Sequence, residues 1–202
     1  IFGRTIHDSH LGLGRITVEK ALWESSDVAA VKLAMRMGKD KFYEYIRGYG
    51  FGSRSGVELP AETRGLVRPV RRWGATSIGS LAIGQEVGVT PIQLVTMVST
   101  IANGGIYLPP HMLLQSTPAL KGSAELRPSA YHANTSLPSP LPVDAHRVIS
   151  TLTAAQMRKM MEGVVLYGTG KAAQLNGYSS GGKTGTAQKV DPATHLYSKS
   201  MH

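Results

Sequence analysis

Apolar positions recur at helical spacing in five stretches of the sequence, each closed by glycine or by a polar turn. Val18, Ala21 and Leu22 follow Thr17, whose hydroxyl can cap a short segment ending at Ser25-Ser26-Asp27. Val28, Val31, Ala34 and Met35 form a second stripe that Gly38 stops, with Asp27 in the first turn, where the helix dipole favours an anion. A third helix is predicted over 39–47 with Phe42, Tyr45 and Ile46 inward, before the glycines of Gly48-Tyr49-Gly50-Phe51-Gly52 break the pattern. Residues 53–90 read as turns and short extended pieces. Thr90-Pro91 then opens the clearest helix, because threonine caps and proline at the first helical position loses no needed donor. Its expected buried stripe is Ile92, Val95, Val98, Ile101 and Ala102, ended by Asn103-Gly104-Gly105. After a short Ile106-Tyr107-Leu108 stretch the chain turns rich in Pro, Ser and Ala, and 116–142 reads as an irregular insertion in a single domain, 1–202. From Ser150 onward, Leu152, Ala155, Met157, Met160, Met161, Val164 and Val165 predict an amphipathic helix closing near Tyr167-Gly168, its methionines read as core filler.

Composition narrows this picture. A chain of 202 residues with 42% apolar residues suffices for one domain. With no cysteine it has no disulfide framework or thiol nucleophile, and no apolar run approaches the roughly 18 residues of a spanning helix. The net charge of +9 is dispersed, with Arg68, Arg71 and Arg72 beside Trp73 as its one tight cluster, so a nucleic-acid partner is not expected. His7-x-x-His10 lacks further ligands at metal spacing and reads as surface histidine; no metal and no cofactor is expected.

The chemistry concentrates in Gly177-Tyr178-Ser179-Ser180-Gly181-Gly182-Lys183-Thr184-Gly185-Thr186, which satisfies four signatures at once. Gly177, Ser179 and Gly181 fit the G-x-S-x-G elbow, and Gly177 with Gly182-Lys183-Thr184 fits a phosphate-binding loop. Ser180 to Lys183 fits S-x-x-K, and Lys183-Thr184-Gly185 fits K-T-G. The first three require a helix that the surrounding glycines and Pro192 oppose. The residues favour a strand over 183–190, in which Lys183 and Gly185 face one way and Thr184 and Thr186 the other. A lysine beside hydroxyls and free backbone N–H groups makes a site for a carboxylate or an oxyanion.

These blocks resemble the transpeptidase domain of class B penicillin-binding proteins. The resemblance rests on Lys183-Thr184-Gly185-Thr186-Ala187-Gln188, preceded by Glu162-Gly163-Val164-Val165 and Gly168-Thr169-Gly170-Lys171-Ala172. It rests equally on Ser25-Ser26-Asp27-Val28 with Val31-Lys32-Leu33-Ala34, which is similar to the family's S-x-N helix start. Gly50-Phe51-Gly52, Gly56-Val57-Glu58-Leu59-Pro60, Ile83-Gly84-Gln85, Val89-Thr90-Pro91-Ile92-Gln93-Leu94 and Ala102-Asn103-Gly104-Gly105 occur between them in order. The likeness is greatest to the septal peptidoglycan transpeptidase of cell division and its sporulation relatives.

The resemblance implies an α/β fold of the α+β type: an antiparallel sheet with flanking helices and an all-helical subdomain, the active site between. It implies a D,D-transpeptidase that takes stem peptides ending in D-Ala-D-Ala, binds β-lactams and uses no cofactor. Lys183 would supply positive potential to the donor carboxylate, with Thr184, Gly185 and Thr186 around it and the Thr186 N–H as half of the oxyanion hole. Ser25 would relay a proton, and Asp27 would contact substrate from the position where the family has asparagine; an ionised aspartate accepts hydrogen bonds where an amide can also donate. The family's nucleophile belongs to an S-x-x-K motif upstream of Ser25, and nothing there fits, Ser9 being followed by His10-Leu11-Gly12. The chain is therefore expected to be a fragment, incomplete at both ends and inactive alone. A membrane anchor upstream, a location on the periplasmic face of the inner membrane, and a glycosyltransferase with other division proteins as partners are implied with it. Two alternatives are a nucleotide binder using residues 177–184 as a phosphate loop and a non-catalytic module of the same fold.

Overall fold

The computed structural model describes residues 3, 5–9, 12–112, 144–186 and 191–194. The N-terminal helices form where the pattern puts them. Helix α1 (Val18–Trp23) is capped by Thr17, whose side chain accepts from the Lys20 N–H at 3.1 Å. It ends with Ser25 in the left-handed region at φ 54°, the Ser25 N–H donating to Leu22 O at 3.2 Å and the Ser26 N–H to Ala21 O at 2.9 Å. This is the double hydrogen bond of a Schellman stop, with serine where glycine is usual. Helix α2 (Asp27–Met37) starts at once on a Ser26 cap and stops at Gly38, whose φ of 84° suits a residue without Cβ. Helix α3 (Lys39–Gly48) follows, with Phe42, Tyr45 and Ile46 half-buried.

Residues 53–90 hold one helix that the pattern does not predict, α4 (Ser77–Ala82), which packs on α2. Its six residues include Gly79 and carry too little periodicity to register; burial of Ser77, Gly79 and Leu81 against α2 holds it instead. The Arg cluster lies beside it. Arg68 pairs with Glu86, Ser77 Oγ donates to the same carboxylate at 2.9 Å, and Trp73 donates to Arg68 O while meeting Phe42 and Tyr43 edge-on. Arg68 and Trp73 thus join α3 to α4.

Helix α5 (Pro91–Ala102) has the expected start, a complete capping box between Thr90 and Gln93. Its buried face differs from the expected one. Gln93, Thr96, Thr100 and Ile101 are buried, whereas Leu94, Val95 and Val98 are 47%, 60% and 41% exposed. Polar residues can occupy this face because each finds a partner: Thr96 donates to Ile92 O and Thr100 to Thr96 O, both at 2.8 Å, and Gln93 Nε2 donates to Ser53 O and Arg64 O. Gln93 thereby bolts α5 to the turns before it.

Strands β1 (Ile106–Tyr107) and β2 (His146–Arg147) pair antiparallel, Ile106 opposite Arg147 and Tyr107 opposite His146. Helix α6 (Thr151–Leu166) is capped by Ser150 and buries Ala154, Gly163, Val164 and Val165; Leu152 and Ala155, expected on the buried stripe, face solvent. Helices and a small antiparallel sheet together fit the α+β class expected from the sequence. The insertion at 116–142 lies outside the described residues. The strand expected over 183–190 is not formed at residues 183–186, which run outside any regular element; 187–190 lie outside the described residues. A strand exists through its ladder, and among the described residues no other segment pairs with 183–186.

A close-packed core contact joins α1 to α6. The Trp23 indole N–H donates to Met160 O at 3.1 Å, and its ring lies over Gly163 so closely that a Cβ there would stand 2.1 Å from Nε1. Gly168 accepts the Trp23 backbone in the same way, a Cβ there meeting Trp23 O at 2.4 Å. Val164 and Val165 close the layer beneath. Among the described residues no helix is long and apolar enough to cross a membrane.

Candidate active site

Two segments far apart in sequence meet at the end of α1. From one side comes the Ser25-Ser26-Asp27 turn, whose left-handed Ser25 costs on the order of 1–2 kcal/mol relative to ordinary backbone. From the other comes 181–186, held against α6 by the Gly182 N–H donating to Met161 O at 3.1 Å. Lys183 Nζ bridges them. It donates to Ser25 Oγ at 2.7 Å, to Thr184 O at 2.9 Å and to Thr184 Oγ1 at 3.4 Å. Thr184 Oγ1 in turn lies 2.8 Å from Thr169 Oγ1, in the turn that follows α6.

The meeting point opens into a cavity of about 700 Å³. Ser25, Asp27, Lys183, Thr184, Gly185 and Thr186, all six residues proposed from sequence, line it. Lys183 Nζ reaches the Thr184 hydroxyl, so the two-faced alternation of a strand does not hold between these two residues. The lining also has apolar members: Leu22 and Leu33 from α1 and α2, Ile83 after α4, and Met157 with Met160 from α6. These two methionines, read from sequence as core filler, are half-buried walls of the cavity. Their helical spacing cannot distinguish the two roles. Thr169 and Asp8 are further participants that sequence reasoning missed; Thr169 stands inside the Gly168-Thr169-Gly170 block, while Asp8 belongs to no motif.

The electrostatics are those of a partly desolvated pair. Partial burial raises the Asp27 carboxyl above its usual range, the nearby Asp8 adds to that, and Lys183 opposes it. Partial desolvation lowers the Lys183 ammonium, against the attraction of Asp27. A lysine eased toward its neutral form and hydrogen-bonded to a serine hydroxyl can pass a proton through that hydroxyl. The same ammonium, ringed by threonine hydroxyls, suits a carboxylate.

The competing signatures in 177–186 separate in space. Ser179 and Ser180 lie in a different hollow, between α5 and α6, where Ser180 Oγ donates to Ala173 O at 3.0 Å. Ser180 and Lys183 therefore do not work together. No helix begins at Lys183 within 183–186, which removes the geometry a phosphate loop needs. His10 of the His7-x-x-His10 pair lies outside the described residues.

Known proteins share this architecture. The family described as "Penicillin binding protein transpeptidase domain" matches residues 3–201. Penicillin-binding protein PbpB of Mycobacterium tuberculosis is 36% identical over 203 residues, 96% of this chain and 28% of that protein. Stage V sporulation protein D of Bacillus subtilis is 36% identical over 185 residues, 92% of this chain and 27% of its own length. Among solved structures, penicillin-binding protein 3 from Mycobacterium tuberculosis, complexed with aztreonam, aligns with a TM-score of 0.80 at 35% identity, covering 98% of this chain and 43% of that one. The chain thus spans under a third of the length of these two curated relatives.

Proposed function

The chain belongs to the penicillin-binding protein transpeptidase domain family, and from that membership we propose that the protein carrying it is a peptidoglycan D,D-transpeptidase, cross-linking stem peptides of the bacterial cell wall by serine acyl transfer. The observation that carries the reading is the Lys183 Nζ to Ser25 Oγ hydrogen bond of 2.7 Å inside a cavity large enough for a peptide end.

In this reading the donor's terminal carboxylate sits against the Lys183 ammonium and the Thr184 and Thr186 hydroxyls. The Thr186 N–H contributes half of the oxyanion hole. Attack on the penultimate D-Ala carbonyl forms a serine ester and expels the last D-Ala, whose nitrogen takes a proton through Ser25 from its lysine partners. An amine of a neighbouring stem then attacks the ester and restores the serine. The acylated serine is assigned to the S-x-x-K motif of the longer protein, since the cavity serines Ser9, Ser25 and Ser26 are followed three positions on by Gly12, Val28 and Ala29. Asp27 faces the donor peptide, and β-lactams enter the same cavity as donor mimics. The protein acts outside the cytoplasmic membrane, anchored by a helix upstream of this domain, with a glycosyltransferase and division proteins as partners.

Covalent labelling of the full-length protein by a fluorescent penicillin tests this. The wild-type protein labels and Lys183→Ala loses labelling by about a hundredfold or more, in line with removal of a transition-state charge donor. An unlabelled wild type, or equal labelling of Lys183→Ala, overturns the reading.

A further inference from the structure

The start of α2 is capped twice. Ser26 Oγ accepts from the Ala29 N–H at 3.0 Å, the ordinary serine cap. The same hydroxyl donates to the Asp8 carboxylate, at 3.1 Å to Oδ1 and 3.0 Å to Oδ2, and Asp8 Oδ1 accepts from the Val28 N–H at 2.9 Å. The second cap serves the Val28 N–H, a helix-start donor that the Ser26 cap leaves unbonded. Its effect falls also on Ser26, which is 6% exposed and stands between Ser25 and Asp27 in the cavity lining.

An aspartate is also a costly choice for a cap here. A neutral acceptor such as asparagine would serve the Val28 N–H and the Ser26 hydroxyl without repelling Asp27. Among the described residues, the charged groups acting on Asp27 are Asp8, from the segment ahead of α1, and Lys183, from 181–186. Asp8 thus holds the turn by hydrogen bonds and sets its charge balance at the same point.

We propose that Asp8 is a positioning residue of the transferase site, clamping Ser26 so that Ser25 Oγ stays on Lys183. Its charge beside Asp27 is its second effect. The kinetic part rests on the transpeptidase reading; the coupling of Asp8 to Asp27 does not. Asp8→Ala removes both effects, whereas Asp8→Asn keeps one acceptor oxygen for the Val28 N–H and the Ser26 hydroxyl and removes the charge.

In the full-length protein, Asp8→Ala slows acylation by a fluorescent penicillin by about tenfold to a hundredfold, the scale of a misplaced catalytic group. Asp8→Asn keeps most of the rate near neutral pH but moves one limb of the pH–rate profile to lower pH, and Asp27→Asn erases that limb. Carbon-13 NMR titration of the Asp27 carboxyl reads the coupling without any acylation, its midpoint falling in Asp8→Asn. Wild-type rates and profiles in both Asp8 variants, or an unmoved Asp27 midpoint, overturn the proposal, and Asp8→Asn alone decides if Asp8→Ala does not fold. A wild type that never labels while the Asp27 midpoint still moves brings down the transpeptidase reading and leaves the Asp8–Asp27 coupling standing.

Discussion

Ser25 holds a backbone conformation that glycine would hold at lower cost, and it does so where its hydroxyl meets Lys183. The strained backbone thus coincides with the side chain that holds Lys183. Ser25→Gly is expected to raise stability by about 1 kcal/mol in thermal unfolding while abolishing penicillin labelling. Ser25→Ala keeps the strain, loses labelling and gains nothing in stability. Asp27 gives a second prediction. Its folded pKa lies above the ordinary 3.8, so its contribution to stability is full below that value and is lost as pH rises through the raised one. Asp27→Asn accordingly melts higher than wild type at neutral pH and shows no gain well below pH 3.8, a difference that melting curves across pH detect. The six lining residues were legible because short motifs in fixed order mark where a lysine, a serine and hydroxyls converge. Asp8 was not, because its partners are a hydroxyl and a backbone N–H, 18 and 20 residues away, a contact only the folded chain creates.

At the level of elements, helix starts were readable and helix faces less so. Thr17, Ser26, Thr90 and Ser150 all accept the hydrogen bonds their types suggest, since capping is a local event. The buried side of α5 could not be read from apolarity, because Gln93, Thr96 and Thr100 are satisfied by carbonyls and so tolerate burial. Helix α4 escaped for the opposite reason, its existence depending on α2 more than on its own sequence. The α1–α6 contact yields a prediction at this scale. Gly163→Ala puts a methyl against the Trp23 indole and is expected to cost about 1–3 kcal/mol by thermal unfolding. It also slows labelling, because Ser25 directly follows α1 and the segment that carries Lys183 is held against α6. Glu58 gives another. Its carboxylate is held down to about 2 by the Met112 N–H and by His111. The contact is complete above the ordinary 4.5 and is lost as pH falls toward about 2, so protection of the Met112 amide against hydrogen exchange falls across that window and is absent at all pH in Glu58→Ala.

Across the whole molecule the net charge of +9 includes an arginine cluster of which Arg68 is paired with Glu86 within the fold. What the chain does with its length is bring residues 25 and 183 together, a separation of 158 positions closed by one hydrogen bond. Closing so long a loop carries an entropic cost that the α1–α6 packing must offset before the pair can form. The site is consequently among the last parts of the chain to assemble, after local helices that form on far shorter timescales. During refolding, competence for covalent labelling should lag behind recovery of helical circular dichroism. A penicillin would then serve as a conformational sensor, marking only molecules whose two distant segments have docked and passing over those that are merely helical.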